Sequence, residues 1–546
     1  MMRILFFTIM LATAIALLAL MVNLLAPGGW TIIKALILLC FTGVVPWIGI
    51  CVGNALLGAA VLIFARNPPR AVLPLQGDID FGPITTRVAL AVTIRNEPMA
   101  IVLPPLRALL AALDGAGYYA NFAIFFLSDS SDGTTEQAAI RIWPDPRIHY
   151  RRRTENTGFK AGNVMDFLDQ HAEAFPFTVM LDADSVMTAD AVLRLVRIMQ
   201  ADPAMGVVQH LTVGLPATSA FPRLFQFGMR AGMRSWATGQ ALWQGTDGPY
   251  WGHNAILRSA AFRDHCKLAP LSDGSPILSH DQVEAARMRF AGYKVCVWAG
   301  EDGSYEANPP ALPEFLQRDS RWLAGNMQYW HLLRLPGFTA MGRWQLIQAM
   351  LLFAGAPLYI AILLLAALSA ATGGGDATPR GALAALTMAW PLALYSPKLL
   401  AYGQVLLNDR ARYGGVWRFA AGILAETIFT LLLDAVATLH KTLAIGRLAF
   451  GARPAWLSQN RADRGVGWVE ATQMFWPHTL IGIAAFTGFA ASSWAMVIWA
   501  LPWAIGLILA IPFCVVTANP AVSKWFTQRR IAAIPEELLP MQRPGA

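Results

Sequence analysis

The sequence predicts a multi-pass α-helical membrane protein that carries one α/β domain between two groups of membrane helices. Of its 546 residues, 55% are hydrophobic and only 14% are charged, whereas soluble proteins carry about 25% charged residues. The apolar runs lie towards the two ends of the chain, and a long polar interval, residues 66–343, separates them. Within that interval, short β-rich runs alternate with helical patterns, which is typical of a parallel sheet covered by helices.

Two apolar runs precede the domain, at residues 4–25 and 32–64. Each is long enough to cross a bilayer, which takes roughly 20 residues. The first run resembles a signal peptide in its position. Its length, the lack of a small-x-small cleavage site and the second run close behind it favour a retained transmembrane helix. We therefore assign residues 1–65 to two N-terminal transmembrane helices.

A second membrane region is predicted at residues 344–518. Spans are expected at residues 345–370 and 383–407, and two more between residues 478 and 516, with a break near Ser492 and Ser493. Residues 419–443 are also apolar, but they contain ionisable side chains and have arginines beyond both ends. The positive-inside rule places both flanks in the cytoplasm. This favours an interfacial helix at residues 419–443 and a cytoplasmic loop near residues 444–473, and the alternative is a seventh span.

Six true spans place the N-terminus, the α/β domain and the tail at residues 519–546 in the cytoplasm. The net charge is +8, and the basic residues cluster beside the apolar runs rather than in one patch. This distribution favours topology signals and an anionic lipid surface over nucleic acid as a partner. The five cysteines show no Cys-x-x-Cys pair or zinc pattern, so we expect reduced thiols.

Polar clusters follow three predicted strands of the domain. The runs at residues 88–94, 122–127 and 177–181 end at loops that contain Glu97, Asp129 and Asp182, in that order. Helical patterns at residues 101–113 and 189–199 fill gaps between the strands. Ligands of such sheets bind beyond the carboxyl ends of the strands, so the three clusters are expected to meet there.

Asp182 and Asp184 form an Asp-x-Asp pair that suits a divalent cation bound to a diphosphate, because Mg²⁺ and Mn²⁺ prefer oxygen ligands. The alternative is a loop or a helix cap. Asp129 is a candidate ligand of a nucleotide base or ribose, and its alternative is an Asx-turn. Lys160 and Asn163 offer a cation and an amide to a sugar or phosphate, unless they only begin a surface helix.

Asp281 opens a helical run at residues 281–290 and is a candidate general base for an acceptor hydroxyl. The alternative is that Asp281 only caps the helix. The neighbouring His280 is a second candidate for the base, and we interpret it as structural. Arg318 and Arg321 lie one helical turn apart and suit a diphosphate, with Trp322 as a stacking surface. An amphipathic helix at the membrane surface gives the same pattern.

Residues 250–254 combine aromatic and polar side chains, a mixture that is typical of carbohydrate acceptor sites. Those predicted to contact an acceptor are Trp251, His253 and Asn254. A packed turn is the alternative.

Taken in order, these motifs resemble those of a processive family 2 glycosyltransferase, whose pattern is a nucleotide-binding Asp, an Asp-x-Asp, a Thr/Ser-x-Asp base motif and a Gln-x-x-Arg-Trp helix. Leu-Ser-His-Asp at 278–281, Gly-Ser-Tyr-Glu at 303–306 and Arg-Asp-Ser-Arg-Trp at 318–322 resemble the glucosyltransferase H family in particular. That family makes the β-glucan backbone of osmoregulated periplasmic glucans in Gram-negative bacteria. The similarity covers residues 88–329, and it implies a GT-A-like fold.

The resemblance implies an inverting, processive glucosyltransferase (a hexosyltransferase of class EC 2.4.1) in the bacterial inner membrane. It would use UDP-glucose and Mg²⁺ or Mn²⁺ to elongate a linear β-1,2-glucan. By motif position, Asp281 is the base, Asp184 and Asp182 hold the metal, and Trp322 contacts the growing glucan. The expected UDP-sugar ligands are Asp129, Glu97, Lys160, Asn163, Asp182, Arg318 and Arg321.

The resemblance also implies a periplasmic glucan-processing protein and acyl carrier protein as partners. A polymer made in the cytoplasm and used in the periplasm needs a route, and Glu426 and Lys398 in the later spans are candidates to line it. Two other functions stay open. One is another membrane glycosyltransferase, either a cellulose-like polymer synthase or a sugar transferase acting on a lipid carrier. The other is a transporter with a nucleotide-sensing domain.

Overall fold

The computed structural model describes residues 1–75, 82–374, 378–452 and 463–538. Two long helices lead into an α/β domain, and a second helical region follows it. The helices up to the end of the domain are α1 (Met2–Leu25), α2 (Ile32–Phe64), α3 (Pro68–Val72), α4 (Met99–Gly115), α5 (Thr134–Arg141), α6 (Phe159–His171), α7 (Ala189–Ala201), α8 (Ala220–Gly232), α9 (Arg234–Gln244), α10 (Ser259–His265), α11 (Asp281–Phe290), α12 (Leu312–Met327) and α13 (Tyr329–Leu332).

The domain is built on a seven-stranded sheet with a small three-stranded sheet beside it. The strands are β1 (Val88–Ile94), β2 (Phe122–Ser128), β3 (Ile148–Arg152), β4 (Phe177–Asp182), β5 (Val186–Met187), β6 (Met205–His210), β7 (Val213–Gly214), β8 (Ala255–Arg258), β9 (Lys294–Trp298) and β10 (Ser304–Glu306). The large sheet has the order β3-β2-β1-β4-β8-β6-β9, and the small one β5-β10-β7. The predicted strands and the parallel pairing of β1, β2 and β4 are confirmed.

Strands β1, β2 and β4 are apolar on both faces because helices cover both faces of the sheet. One core lies between the sheet and helices α4 and α7, and it includes Leu90, Leu106 and Val192. The other core lies under α6, α10 and α11 and includes Phe125 and Phe262. The one antiparallel strand inside the sheet, β8, was not foreseen, since its four residues carry too little pattern.

The second helical region follows the domain. Its helices are α14 (Ala340–Ser369), α15 (Arg380–Leu394), α16 (Ser396–Gln404), α17 (Val416–Ala449), α18 (Trp468–Ser492), α19 (Trp494–Ile508), α20 (Ala510–Thr517), α21 (Pro520–Arg529) and α22 (Pro535–Leu538). Parts of the predicted cytoplasmic loop (residues 453–462) and of the predicted tail (residues 539–546) lie outside the described residues.

Among the described residues, five helices are long and apolar enough to cross a membrane, or six if α19 and α20 form one bent span. The predicted break at Ser493 is confirmed, and Ser493 caps α19 by accepting a hydrogen bond from Met496. The prediction of one helix over residues 383–407 is wrong. That segment divides at Tyr395, whose backbone leaves the helical region, and α16 begins at Ser396 with Pro397 in its first turn.

Helix α17 covers the segment predicted to be interfacial. It is long and apolar enough to cross a membrane, yet it contacts the α/β domain at two distant points. Phe419 packs on Phe227 of α8, and His440 lies 3.2 Å from Ser320 of α12. About 21 residues of helix separate these contacts, a distance close to the thickness of the hydrocarbon core. These contacts favour an interfacial position, which stays a prediction.

The α/β domain is joined closely to the second membrane helix. Gly58 of α2 and Gly239 of α9 face each other so closely that an added Cβ on either would collide with the opposite backbone. Trp243 of α9 donates a hydrogen bond to Asn54 Oδ1 at 2.7 Å, and both side chains are buried. The domain is therefore anchored on the membrane helices by direct helix packing.

Candidate active site

The loops that follow β1 and β2 are tied to each other at the carboxyl edge of the large sheet. Asn96 adopts a left-handed backbone (φ 63°), and its N–H donates to Ser130 Oγ at 2.7 Å. The side-chain oxygen of Asn96 accepts from the Ser131 backbone at 3.1 Å. Glu97 is oriented within the same loop, where its carboxylate accepts from the Arg95 N–H.

Asp129 lies beyond β2 and is 7% exposed. Its two oxygens accept from Arg153 Nε and Nη2, both at 2.8 Å. Asn163 Nδ2 donates to Asp129 Oδ1 at 2.9 Å and to the Leu127 carbonyl at 3.1 Å, and its own oxygen accepts from Arg151. Asn163 is fully buried. It therefore holds Asp129 in place, and the prediction that it contacts the donor directly is not supported.

Asp182 is the centre of a charged network at the end of β4. Its Oδ1 is paired with Lys160 of α6 and accepts from Thr93 Oγ1 at 3.1 Å. His253 Nδ1 lies 3.9 Å from Asp182 Oδ2, and His253 Nε2 lies 3.0 Å from Glu306 of β10. The predicted donor, metal and acceptor residues Lys160, Asp182 and His253 therefore lie together.

The charges of this network determine the protonation of its members. Burial lowers the pKa of His253, but Glu306 and Asp182 raise it to about 9, so the ring is cationic at neutral pH. Burial raises the pKa of Asp182, yet Lys160 and His253 bring it below its usual value. Burial likewise raises the pKa of Glu306, and its hydrogen bond to His253 lowers it overall. The network therefore carries paired charges.

Arg318 of α12 approaches the same place from the other side. Burial lowers its pKa, and the neighbouring charges of Glu306, Asp319 and Asp184 oppose that effect. Its guanidinium lies 4.7 Å from the ring centroid of Trp322, which is half exposed. Asp184, the other predicted metal ligand, therefore lies near the cation of Arg318, as Asp182 lies near that of Lys160.

Helix α12 also carries the remaining members of the Arg-x-x-Arg-Trp run, Arg321 and Trp322. The face beside them is fixed by α17, where Lys441 Nζ lies 3.6 Å from Asp319 and His440 approaches Ser320. The predicted diphosphate helix is therefore held between the α/β domain and the membrane region.

Asp281 is the first residue of α11. His280 Nδ1 lies 3.1 Å from Asp281 Oδ1 and 3.0 Å from Glu284 Oε2. On its other side the carboxylate faces Gly252, where an added Cβ would lie 2.7 Å from Asp281 Oδ1. Burial lowers the pKa of Lys160, but Asp182 and then Asp281, which is near enough to act on it, raise it overall. The predicted base therefore opens onto the Lys160–Asp182 network.

His280, Asp281 and Glu284 also have the donor types of a metal site, since their ligand atoms lie within 4.8 Å of one another. A metal needs a neutral imidazole nitrogen. Burial lowers the pKa of His280, but Glu284 and Asp281 raise it to about 9. A protonated ring at 3.0 and 3.1 Å from two carboxylates also accounts for this cluster, by charge pairing.

The predicted acceptor loop is only partly open. Trp251 is half-buried, and its backbone N–H donates to Gln209 Oε1 at 2.8 Å. Asn254 is completely buried, and its amide donates to Ser304 Oγ at 2.9 Å and to the Tyr305 carbonyl. Asn254 therefore joins β8 to β10, and the prediction that it contacts an acceptor is not supported. Trp251 and His253 keep positions at the site.

Four residues of the site were not given a role from the sequence: Thr93, Arg153, Glu284 and Glu306. Thr93 lies near the end of β1 and Arg153 directly follows β3, where a search for polar residues at strand ends would have found them. Glu306 ends the Gly-Ser-Tyr-Glu run at 303–306, which was noticed only as part of the resemblance. Glu284 lies one helical turn after His280, a spacing that places two side chains on one face.

Comparison with known proteins identifies the family of the chain. Residues 177–402 match the model of glycosyl transferase family group 2. A glucans biosynthesis glucosyltransferase H from Rhodopseudomonas palustris is 32% identical over 531 residues, which cover 92% of this chain and 73% of that protein. The chain belongs to the glucans biosynthesis glucosyltransferase H family. A second member, from Xanthomonas campestris pv. campestris, is 31% identical over 97% of this chain and 86% of its own length.

Solved structures match less strongly. The mannosyltransferase PcManGT from Pyrobaculum calidifontis, in complex with GDP-Man and Mn²⁺, is 16% identical with a TM-score of 0.39 and covers 74% of this chain and all of that one. S. aureus TarS 1-349 is 14% identical with a TM-score of 0.31, over 61% of this chain and 93% of its own. These scores are too low to carry an argument about the site.

Membership in the glucosyltransferase H family confirms the predicted class of protein. The chain is a membrane-embedded family 2 glycosyltransferase of glucan biosynthesis with an α/β domain. Such an enzyme binds a sugar-nucleotide donor and a glycan acceptor.

Proposed function

We propose that this protein is an inverting, processive glucosyltransferase that transfers glucose from UDP-glucose to the end of a linear β-1,2-glucan. The observation that carries the proposal is the convergence of Asp281 with the Asp182–Lys160 pair, in a chain of the glucosyltransferase H family. A base candidate therefore lies beside the groups that suit a sugar diphosphate.

The donor is expected to lie along the carboxyl edge of the large sheet. Asp129, fixed by Arg153, is suited to accept hydrogen bonds from the uridine, with Glu97 on the neighbouring loop. Lys160 and Arg318 offer cations near Asp182 and Asp184. Together with Arg321, Lys160 and Arg318 would neutralise the negative charge of the diphosphate, which grows as the glycosidic bond breaks.

Mg²⁺ or Mn²⁺ would be held by Asp182 and Asp184, whose oxygens are of the type such ions prefer. The fit is supported by the position of both carboxylates after one strand, at the edge where Lys160 and Arg318 also lie. When bound, the metal would neutralise charge on the diphosphate.

Asp281 would act as the base. Its carboxylate takes the proton of an acceptor hydroxyl while that oxygen attacks the anomeric carbon of glucose. The bond between that carbon and the diphosphate oxygen breaks, UDP leaves with the bonding electron pair, and the configuration inverts. A base in this role has to be ionised, and His280 Nδ1 lies within ion-pair distance, 3.1 Å, of one of its oxygens.

The acceptor end of the growing glucan would lie against Trp322, Trp251 and His253. Trp322 is half exposed and Trp251 half-buried, so each offers an aromatic face on which a sugar ring can stack. The cationic His253 ring near Asp182 would lie where acceptor and donor meet. Repeated rounds of transfer need the chain end to shift by one sugar while these platforms hold it.

Export through the bacterial inner membrane, with the α/β domain in the cytoplasm, is part of the proposal. A cavity of about 790 Å³ among the membrane helices supports it. The cavity wall includes Lys441, the partner of Asp319, and Lys34, which donates to the Gly29 carbonyl in the turn between α1 and α2. The aromatic residues in its lining include the tryptophans and tyrosines Trp47, Tyr359, Trp390, Tyr395, Trp499 and Trp503, which suit sugar rings.

The test is an assay of the full-length protein in lipid with UDP-glucose and magnesium, measuring UDP release and the linkage of the product. We expect a β-1,2-glucan and its loss in Asp281→Asn, a variant that keeps the shape of the side chain but cannot take a proton. A lipid-soluble product would instead indicate a lipid-carrier transferase. UDP release that is unaffected by Asp281→Asn would overturn the assignment of the base.

A further inference from the structure

Glu284 lies one helical turn after the proposed base and is 2% exposed. Its Oε2 lies 3.0 Å from His280 Nδ1, and the same nitrogen lies 3.1 Å from Asp281 Oδ1. One ring nitrogen of His280 therefore stands between two carboxylates, one buried and one open to the site. Glu284 itself does not face the place where a substrate would bind.

A buried carboxylate is costly unless it is paired and hydrogen-bonded. Burial raises the pKa of Glu284, and His280 acts against that rise. An apolar side chain would suit this buried position better if packing were its only task. The pairing with His280 therefore points to a task at the neighbouring Asp281.

We propose that Glu284 is a positioning residue that acts through His280 on the base Asp281. The buried Glu284 carboxylate holds the charged His280 ring beside Asp281 Oδ1, so that the second oxygen of Asp281 is left for the acceptor hydroxyl. The inference rests on the proposed function, because it presupposes that Asp281 takes the proton.

Other groups around His280 do not supply this orientation. Lys160 of α6 faces it as a second cation and lowers its proton affinity. The hydroxyl of Tyr329 on α13 is engaged with the Ser279 carbonyl at 2.7 Å. The buried side chains of Tyr250 and Cys266 complete the surroundings of the His280–Glu284 pair. Glu284 and Asp281 are therefore the carboxylates that keep the ring protonated.

The arrangement predicts a limit to activity at alkaline pH. The pKa of His280 is raised to about 9 from an ordinary value of 6.5, so the charged ring is present below pH 9 and is lost as the pH rises through that value. Removing the charge of Glu284 brings this pKa down towards 6.5. One pH unit above a pKa only about one tenth of a group stays protonated.

The experiment measures kcat for glucan synthesis against pH in Glu284→Gln, which keeps the size of the side chain. We expect the alkaline limb of the profile, the pH range above which kcat falls, to move from about pH 9 towards 6.5. At pH 8, kcat should be reduced about tenfold or more, and the KM for UDP-glucose should be unchanged. Glu537→Gln is the matched control, because Glu537 is also a mostly buried carboxylate, paired with Arg223 far along the chain. It should leave the limb in place.

His280→Gln is the second variant, and binding of UDP with magnesium, measured by calorimetry, shows whether each variant keeps its donor site. His280→Gln should lower kcat across the pH range and abolish the limb, and adding Glu284→Gln should cost nothing further, because residues that act in series are not additive. An alkaline limb in Glu284→Gln that matches wild type would overturn the inference alone. If glucosyl transfer by the wild-type enzyme does not depend on Asp281, the proposed function fails, and this inference fails with it.

Discussion

Arg153 holds Asp129 through two parallel hydrogen bonds, each 2.8 Å long. The Arg153–Asp129 pair is buried, and Asn163 adds a third hydrogen bond to Asp129 at 2.9 Å. The planar guanidinium matches a carboxylate in this bidentate way, whereas a lysine ammonium is a point charge. The orientation of Asp129 at the donor site is therefore fixed before a nucleotide binds.

Replacing Arg153 by lysine should weaken nucleotide binding. The substituted lysine would keep the charge, but it would lose the fork that sets the direction of both Asp129 oxygens. We expect the Kd of UDP with magnesium to rise about tenfold, which corresponds to about 1.4 kcal/mol. Isothermal titration of the purified protein measures this directly.

Arg263→Lys is the control for that substitution. Arg263 also pairs with two carboxylates, Glu173 and Asp264, but both partners are exposed, and surface pairs contribute little to stability. Its UDP affinity should equal that of wild type. An unchanged affinity in Arg153→Lys as well would show that the fixed orientation of Asp129 does not matter for binding.

Gly252→Ala should lower the rate of transfer. Gly252 has a left-handed backbone (φ 82°), and an added Cβ would lie 2.7 Å from Asp281 Oδ1. The carboxylate must therefore move, and we expect kcat to fall about tenfold to a hundredfold because misplacing a catalytic group by about 1 Å costs up to 10² in rate. Steady-state UDP release measures it.

Gly274→Ala separates that collision from backbone strain. Gly274 has a similar φ of 77°, but an added Cβ there meets nothing within 4 Å. Both variants pay the conformational cost of a side chain in the left-handed region, about 1–2 kcal/mol. Equal losses of kcat in Gly252→Ala and Gly274→Ala would mean that strain, and not contact with Asp281, is responsible.

The sheet and the placement of its polar loops could be predicted because their signals are local. β1 is apolar except for Thr93. Asp129 follows β2 and Asp182 ends β4, and the parallel register of these strands brings both to one edge. Whether a polar side chain at that edge faces a ligand or a neighbour is decided by tertiary contacts. Asn163 and Asn254 looked like ligands from the sequence, and the structure buries both in the framework.

In the membrane region, too, local sequence features were predicted and features that depend on tertiary contacts were not. Hydropathy predicted the positions of α1, α2 and α14. It did not predict that residues 383–407 divide at Tyr395, since an apolar run carries no information about where a chain bends. The orientation of α17 depends on its contacts with α8 and α12, which no sequence window contains.

Trp322→Ala should shorten the glucan more than it slows UDP release. Trp322 is 50% exposed and stacks on Arg318, so the substitution removes an aromatic platform for the acceptor. Stacking of this kind contributes about 0.5–1.5 kcal/mol, which raises the KM for an oligosaccharide acceptor about two- to tenfold. Product length by mass spectrometry and UDP release are measured on the same sample.

Trp330→Ala is the matched control for Trp322→Ala. Trp330 is 66% exposed on the short helix α13 that follows α12, so it has a similar exposed surface without a place in the proposed site. Its product should keep the wild-type length. Equal shortening by the two substitutions would indicate a general effect of surface tryptophans and remove Trp322 from the acceptor site.

Lys398 and Glu426, expected from the sequence to line an export route, are paired with each other. Glu426 is 1% exposed, and besides Lys398 it accepts from Thr430 Oγ1 at 2.6 Å and from the Tyr402 hydroxyl. The Lys398–Glu426 pair joins α16 to α17 below α8, where Gly228 faces the glutamate. Both charges are therefore satisfied by the packing of these helices.

Lys398→Gln should destabilise the protein by about 3–5 kcal/mol, because it leaves Glu426 buried without a counter-charge. The Lys398→Met, Glu426→Gln double variant removes both charges and should recover most of that loss. Thermal unfolding followed by tryptophan fluorescence in detergent compares the variants, with the exposed Lys524→Gln as a neutral control. Since the pair is structural, UDP release and glucan export should fall together in Lys398→Gln. A loss of export at wild-type stability and wild-type UDP release would instead place the lysine on the route of the polymer.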